Sequence, residues 1–198
     1  MTDLILASGS QIRAALLRNA GLAIETQPAR VDEEAIRAAL QAEGASPRDI
    51  ADALAEAKAA KVSARHPGTM VLGADQVLEC EGRLFSKPES IEEARAQLSD
   101  LRGRSHRLLS AAVVFRDGEP LWRHVGTVRL TMRSFSDDYL DAYLARNWDS
   151  VRHSVGAYKL EEEGVRLMSR IEGDYFNVLG LPLLELLTWL SVRGDIAS

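Results

Sequence analysis

The chain has 198 residues, of which 46% are apolar and 27% charged, with a net charge of −5 at pH 7. That length buries a substantial core, as one large domain or two closely joined lobes, and the mild negative charge excludes a general attraction to nucleic acid or anionic lipid. A single cysteine, Cys80, excludes an internal disulfide and a cysteine-built zinc site, and fits a reducing compartment.

Residues 4–7, Leu-Ile-Leu-Ala, read as a buried strand. Ser8-Gly9-Ser10 turns the chain, and residues 11–19 follow as a helix stopped by Gly21. Such a turn points free backbone N–H groups and the positive helix end into one small space. Ser8, Ser10 and Arg13 there would hold a phosphate or another oxyanion. The alternative is ordinary capping by Ser10, with Arg13 on a solvated surface. Residues 22–26 suggest a second strand, leading through Asp32-Glu33 into a helix over 33–42. Ser46-Pro47-Arg48-Asp49 carries the marks of a helix start, and this helix runs to about residue 64 with Lys58 on it.

Residues 70–78 form a nearly continuous apolar run, as a central strand buried on both faces requires. Glu81-Gly82 reverses the chain, and Ser90 with Glu93 opens a helix that ends at Gly103. Residues 107–115 and 122–132 read as strands joined at Asp117-Gly118, and Ser136 caps a helix carrying Tyr139, Leu140, Tyr143 and Leu144. Residues 156–160 and 165–171 suggest two more strands before Pro182 starts the last helix. The expected class is therefore α/β, a mixed central sheet flanked by helices in two closely joined lobes with a cleft. No basic leader opens the chain and no run approaches the roughly 18 to 20 apolar residues of a membrane span, so a cytoplasmic protein without membrane partners is expected.

Asp75 breaks the apolar strand, and burying its carboxylate is costly unless it is paired or lies at a cleft. It reads either as a general base or metal ligand at a strand end, or as part of a kink beside Gly73. Asp32 and Glu33 are a solvated helix start unless proximity to Asp75 makes a metal site of them, and such carboxylates suit magnesium or manganese. Lys58 and Lys87 are the matching cations; Lys58 is equally readable as a solubilising residue, whereas Pro88 helps to aim Lys87. The four histidines show no i, i+4 metal spacing and read as structural or surface groups. A glycine-rich loop followed by Lys-Ser/Thr is missing, which excludes a P-loop enzyme.

Taken in order, these segments resemble the Maf family of nucleotide pyrophosphatases. The resemblance rests on Leu-Ala-Ser8-Gly-Ser10-Gln-Ile-Arg13, Val31-Asp32-Glu33, Ala55-Glu-Ala-Lys58, Gly73-Ala-Asp75-Gln76, Ser86-Lys87-Pro88, Arg-Gly103-Arg-Ser-His106, Gly156-Ala-Tyr158 and Gly173-Asp-Tyr-Phe-Asn177-Val-Leu-Gly180-Leu-Pro182. It implies one Maf/ITPase-like domain over residues 1–198, a divalent metal, a homodimer, and cleavage of nucleoside triphosphates to a monophosphate and pyrophosphate. It also implies that Asp75 is the proton acceptor and that Ile12, Gln76 and Glu161 bear on the choice of base. Gln76 and Glu161 resemble the branch acting on 7-methyl-GTP rather than the dTTP/UTP branch, whereas Ile12 departs from both. A different reading of the same family is a nucleotide-binding regulator that inhibits septum formation through partners.

Overall fold

The computed structural model describes residues 4–197, and the protein is a mixed α/β structure. Seven strands make one sheet: β1 Leu4–Leu6, β2 Ile24–Thr26, β3 Met70–Cys80, β4 Arg83–Phe85, β5 Ser105–Arg116, β6 Glu119–Met132 and β7 Met168–Glu172. The strand order is β2-β1-β3-β5-β6-β7, with β4 paired to β3. β1 runs parallel to both β2 and β3, Leu4 opposing Ile24 and Met70, whereas β3–β4 and β6–β7 are antiparallel. The helices are α1 Gln11–Asn19, α2 Glu33–Ala42, α3 Pro47–Ser63, α4 Ile91–Leu101, α5 Asp137–Val151, the single turn α6 Tyr175–Val178, and α7 Leu183–Arg193. Among the described residues no helix is long and apolar enough to cross a membrane.

Local chemistry explains most of these boundaries. Ser10, Ser46, Ser90 and Ser136 each cap the helix that follows, their hydroxyls accepting a backbone N–H of the first turn. Ser46 and Asp49 close a reciprocal capping box ahead of Pro47. After α1, Gly21 N–H donates to the Arg18 carbonyl and Leu22 N–H to that of Leu17. This double closure ties up Leu22, so β2 begins at Ile24 rather than at residue 22. Glu81-Gly82 and Asp117-Gly118 turn with both residues in the left-handed region, the geometry that matches strand twist in a two-residue hairpin.

The chain divides into two compact units. The first comprises Met1–Gln76, Ser110–Gly126 and Gly180–Ser198, the second Val77–Leu109 and Thr127–Leu179. In the first unit Leu6, Leu17, Ile50, Leu54 and Leu72 are fully buried. Here the Asp117 carboxylate accepts from Gly68 N–H and the Ser63 hydroxyl from Gly118 N–H, fastening the β5–β6 turn to the end of α3 and the loop after it. In the second unit Leu78, Leu98, Leu101, Leu130, Leu140 and Tyr143 form the centre of a continuous apolar cluster. Cys80 lies buried in that cluster as a free thiol, pushed up from its ordinary pKa chiefly by burial.

Two expectations fail in the second unit. Residues 156–160 are not a strand: Val155–Ala157 is a short 3-10 turn in which Gly156 and Ala157 both take positive φ, 75° and 56°. An extended strand does not pass through consecutive left-handed residues, and a side chain at 156 would strike Leu78 at 2.5 Å. The Tyr143 hydroxyl donates to the Ala157 carbonyl and holds the turn in place. Residues 163–167 likewise form a 3-10 segment, so β7 starts at Met168.

His106, on β5, is the buried exception among the histidines. Its Nε2 pairs with the Tyr158 hydroxyl at 2.7 Å, its Nδ1 is buried without a hydrogen-bond partner, and burial pulls its pKa down to about 4. The unfolded chain binds this proton near 6.5 and the folded chain only near 4, so stability is complete above 6.5 and falls as pH drops through that window. Between pH 7 and pH 4.5 the wild type should lose about 2 kcal/mol more than a His106→Asn variant in urea unfolding. Equal losses would show that His106 does not resist protonation.

Candidate active site

The site grows from the first βα turn and the middle of β3, all within the first unit. Ala7 N–H extends the β1–β3 pairing by donating to the Leu72 carbonyl. Beyond it, the Ser8 hydroxyl accepts from Ser10 N–H at 3.2 Å, and the Ser10 hydroxyl caps α1 by accepting from Arg13 N–H. Ser10 is thus a true helix cap, as the simpler reading of this turn holds. Arg13 is not on a solvated surface. Its Nε donates to the Gly180 carbonyl at 2.7 Å, and its Nη1 donates to the Ala74 carbonyl at 3.0 Å and the Ser8 hydroxyl at 3.3 Å. Burial lowers the pKa of the guanidinium, while Asp75 and then Glu33 pull it back up. Arginine stays protonated in this setting.

Gly73 decides how α3 meets β3. A Cβ there would lie 2.1 Å from the Ala55 carbonyl oxygen and 2.7 Å from Ala59 N, so helix and strand touch backbone to backbone. Gly73 has no left-handed φ, and β3 runs unbroken from Met70 to Cys80, so the kink reading of Asp75 is wrong. Residues two apart share one face of a strand, so Asp75 stands beside Gly73 on the side covered by α3. Lys58 Nζ, one residue before Ala59, reaches Asp75 Oδ1 at 2.7 Å and Glu33 Oε1 at 3.0 Å. Lys58 is therefore no solubilising surface lysine: its side chain is 9% exposed and that of Asp75 7%. Buried charges persist when paired, and this one is paired twice. Asp75 Oδ2 is also buried but has no hydrogen-bond partner, leaving one carboxylate oxygen for a group outside the described residues.

The acidic pair at the start of α2 separates into two roles. Asp32 caps the helix by accepting from Ala35 N–H at 3.0 Å, and Glu33 turns to Lys58. Beyond Asp75, Gln76 Nε2 donates to the Ser110 hydroxyl at 3.0 Å, and Ser110 is wholly buried on β5. Ile12 is half-buried on α1. Ser8, Ser10, Arg13, Glu33, Lys58, Asp75 and Gln76 accordingly come from four separate stretches of sequence into one unit. Lys87 and Glu161 belong to the second unit, and each is exposed.

Sequence reading missed Ser110 and the carbonyls of Ala74 and Gly180. For Ser110 a signal existed, as the one hydroxyl in the apolar run Leu108-Leu109-Ser110-Ala111-Ala112-Val113. The carbonyls carried none, because every residue has one.

A carboxylate with one buried free oxygen, two neighbouring cations and a hydroxyl-rich turn form a place for a polyanion and an acid–base group together. Comparison with known proteins agrees with that chemistry. The family described as Maf-like protein matches residues 3–192. A nucleoside triphosphate pyrophosphatase of Ruegeria pomeroyi is 65% identical over 193 residues, covering 98% of this chain and 97% of that protein. One from Ruegeria sp. is 63% identical, with 98% of each chain covered. A 7-methyl-GTP pyrophosphatase of Mesorhizobium japonicum is 52% identical, with 99% of each chain covered. With the match spanning nearly all of its length and relatives this similar, the chain belongs to the Maf family.

Proposed function

We propose that this protein is a nucleoside triphosphate pyrophosphatase, hydrolysing a nucleoside triphosphate to the monophosphate and pyrophosphate. The observation that carries the reading is the buried Lys58–Asp75 pair, with Glu33 as the second partner of Lys58 and Arg13 beside it, together with relatives of that name covering nearly all of the chain. A triphosphate brings about four negative charges, and Arg13, Lys58 and the N–H groups of the Ser8–Ser10 turn would compensate them. Asp75 would accept a proton from the attacking water through Oδ2, the oxygen that Lys58 does not hold. The water would add at the α-phosphorus, the bond to the bridging oxygen would break, and pyrophosphate would leave in line. Positioning and charge compensation supply most of the acceleration, with no covalent nucleophile.

The residues fit a divalent cation. Among the described residues no three histidine, cysteine or acidic side chains cluster as a metal cage. Magnesium and manganese, however, are usually held by one or two carboxylates together with substrate phosphates. Asp75 and Glu33 are the carboxylates that would hold the ion, which would neutralise phosphate charge and lower the pKa of water.

The finer reading is a modified guanine nucleotide of the 7-methyl-GTP kind. It is supported by the resemblance at Gln76 and Glu161 and by the Mesorhizobium japonicum relative. A carboxylate at the base site would accept from guanine N–H groups or counter the positive charge of a methylated purine. The roles of Ile12 and Glu161 rest on resemblance alone, as does a homodimer; Lys87, beside Pro88, is a further candidate cation for the phosphates, and a cytoplasmic location fits the single cysteine, Cys80.

The test is a nucleotide panel, methylated forms included, incubated with magnesium or manganese and analysed for products. Pyrophosphate and a monophosphate should appear, and excess chelator should abolish them. Release of inorganic phosphate, or no turnover of any nucleotide, would defeat the proposal.

A further inference from the structure

We infer that Lys58 guards the acidic pair against free divalent cations, so that metal enters this site with the triphosphate rather than ahead of it. The inference rests on the pyrophosphatase reading and adds an order of binding to it. A single ammonium spans two carboxylates, Nζ lying 2.7 Å from Asp75 Oδ1 and 3.0 Å from Glu33 Oε1. These are the carboxylates that would hold a divalent ion. Arg13 lies near enough to feel both of them. Two acids facing two bases leave the cluster formally neutral.

A divalent ion arriving alone meets an incomplete site. Asp75 Oδ2 attracts it, buried and without a hydrogen-bond partner. Lys58 and Arg13 repel it at short range, where burial has removed much of the screening water. Entry also requires the ion to compete with an ammonium already in contact with both acids. A triphosphate reverses the balance. Its phosphate oxygens attract Lys58 away from the carboxylates and at the same time complete the coordination that one or two carboxylates leave unfinished. Lysine suits this exchange, because its ammonium is a point charge on a flexible stem. Arg13 does not, since three of its hydrogen bonds tie it to Gly180, Ala74 and Ser8.

Manganese titrated into the substrate-free protein, with the free ion followed by electron paramagnetic resonance, tests the guard without reading activity. Wild type and Lys58→Arg should bind weakly, and Lys58→Met at least ~10-fold more tightly, because it removes the competing charge. Equal affinities for wild type and Lys58→Met would overturn the inference. Should circular dichroism show Lys58→Met to be unfolded, equilibrium dialysis of the wild type decides. An α,β-methylene nucleoside triphosphate should let the protein retain manganese at concentrations at least ~10-fold lower than without it. Equal retention would again overturn the guard. Retention of the analogue is read in the same dialysis: its complete absence would defeat the nucleotide reading, whereas the free-ion titrations report on Lys58 alone.

Discussion

Replacing Asp75 by Asn should lower pyrophosphate release at least ~10²-fold and leave the protein folded. Asparagine keeps the size of the side chain and an oxygen for Lys58, but its amide cannot take a proton from water. The fold survives because Lys58 keeps its second partner, Glu33, at 3.0 Å, so no buried ammonium is stranded. A steady-state pyrophosphate assay beside a thermal melt separates the two effects. A kcat near wild type would remove Asp75 from the role of general base while leaving family membership intact. A collapse of both activity and melting temperature would instead make its main contribution structural.

The opposite half of the pair should behave differently. Lys58→Met should lower stability by about 3–5 kcal/mol, because it leaves Asp75 buried without its ion-pair partner. Glu33 suffers less, since its side chain is 40% exposed and water can replace the ammonium. The double variant Lys58→Met/Asp75→Asn should recover part of the loss, by about 1–3 kcal/mol relative to additive behaviour. Urea unfolding of the wild type, both single variants and the double variant measures this directly. Additive losses would show that the two side chains do not stabilise each other, whatever their distance.

Both expectations depend on a juxtaposition that local sequence reading reaches only halfway. The capped starts of α3, α4 and α5 were legible from Ser46, Ser90 and Ser136, because a cap is a contact between residues three apart. The two hairpin turns were legible at Glu81-Gly82 and Asp117-Gly118 for the same reason. The 156–160 segment misled because Val-Gly-Ala-Tyr suits a strand locally, while packing of Gly156 against Leu78 and Leu101 selects a turn. Tertiary contact overrode propensity there.

The candidate site divides along the same line. By itself the sequence determined which chemical groups the chain owns, where its helices start, and, through ordered motifs, which family it resembles. Only the tertiary structure decided that Lys58 holds both Asp75 and Glu33, and that Arg13 clamps the carbonyls of Ala74 and Gly180. The physical reason is Gly73, where a missing side chain lets α3 lie directly on β3. A glycine is visible in sequence, but the backbone that approaches it belongs to a helix more than ten residues away, and that approach exists only once the chain has folded.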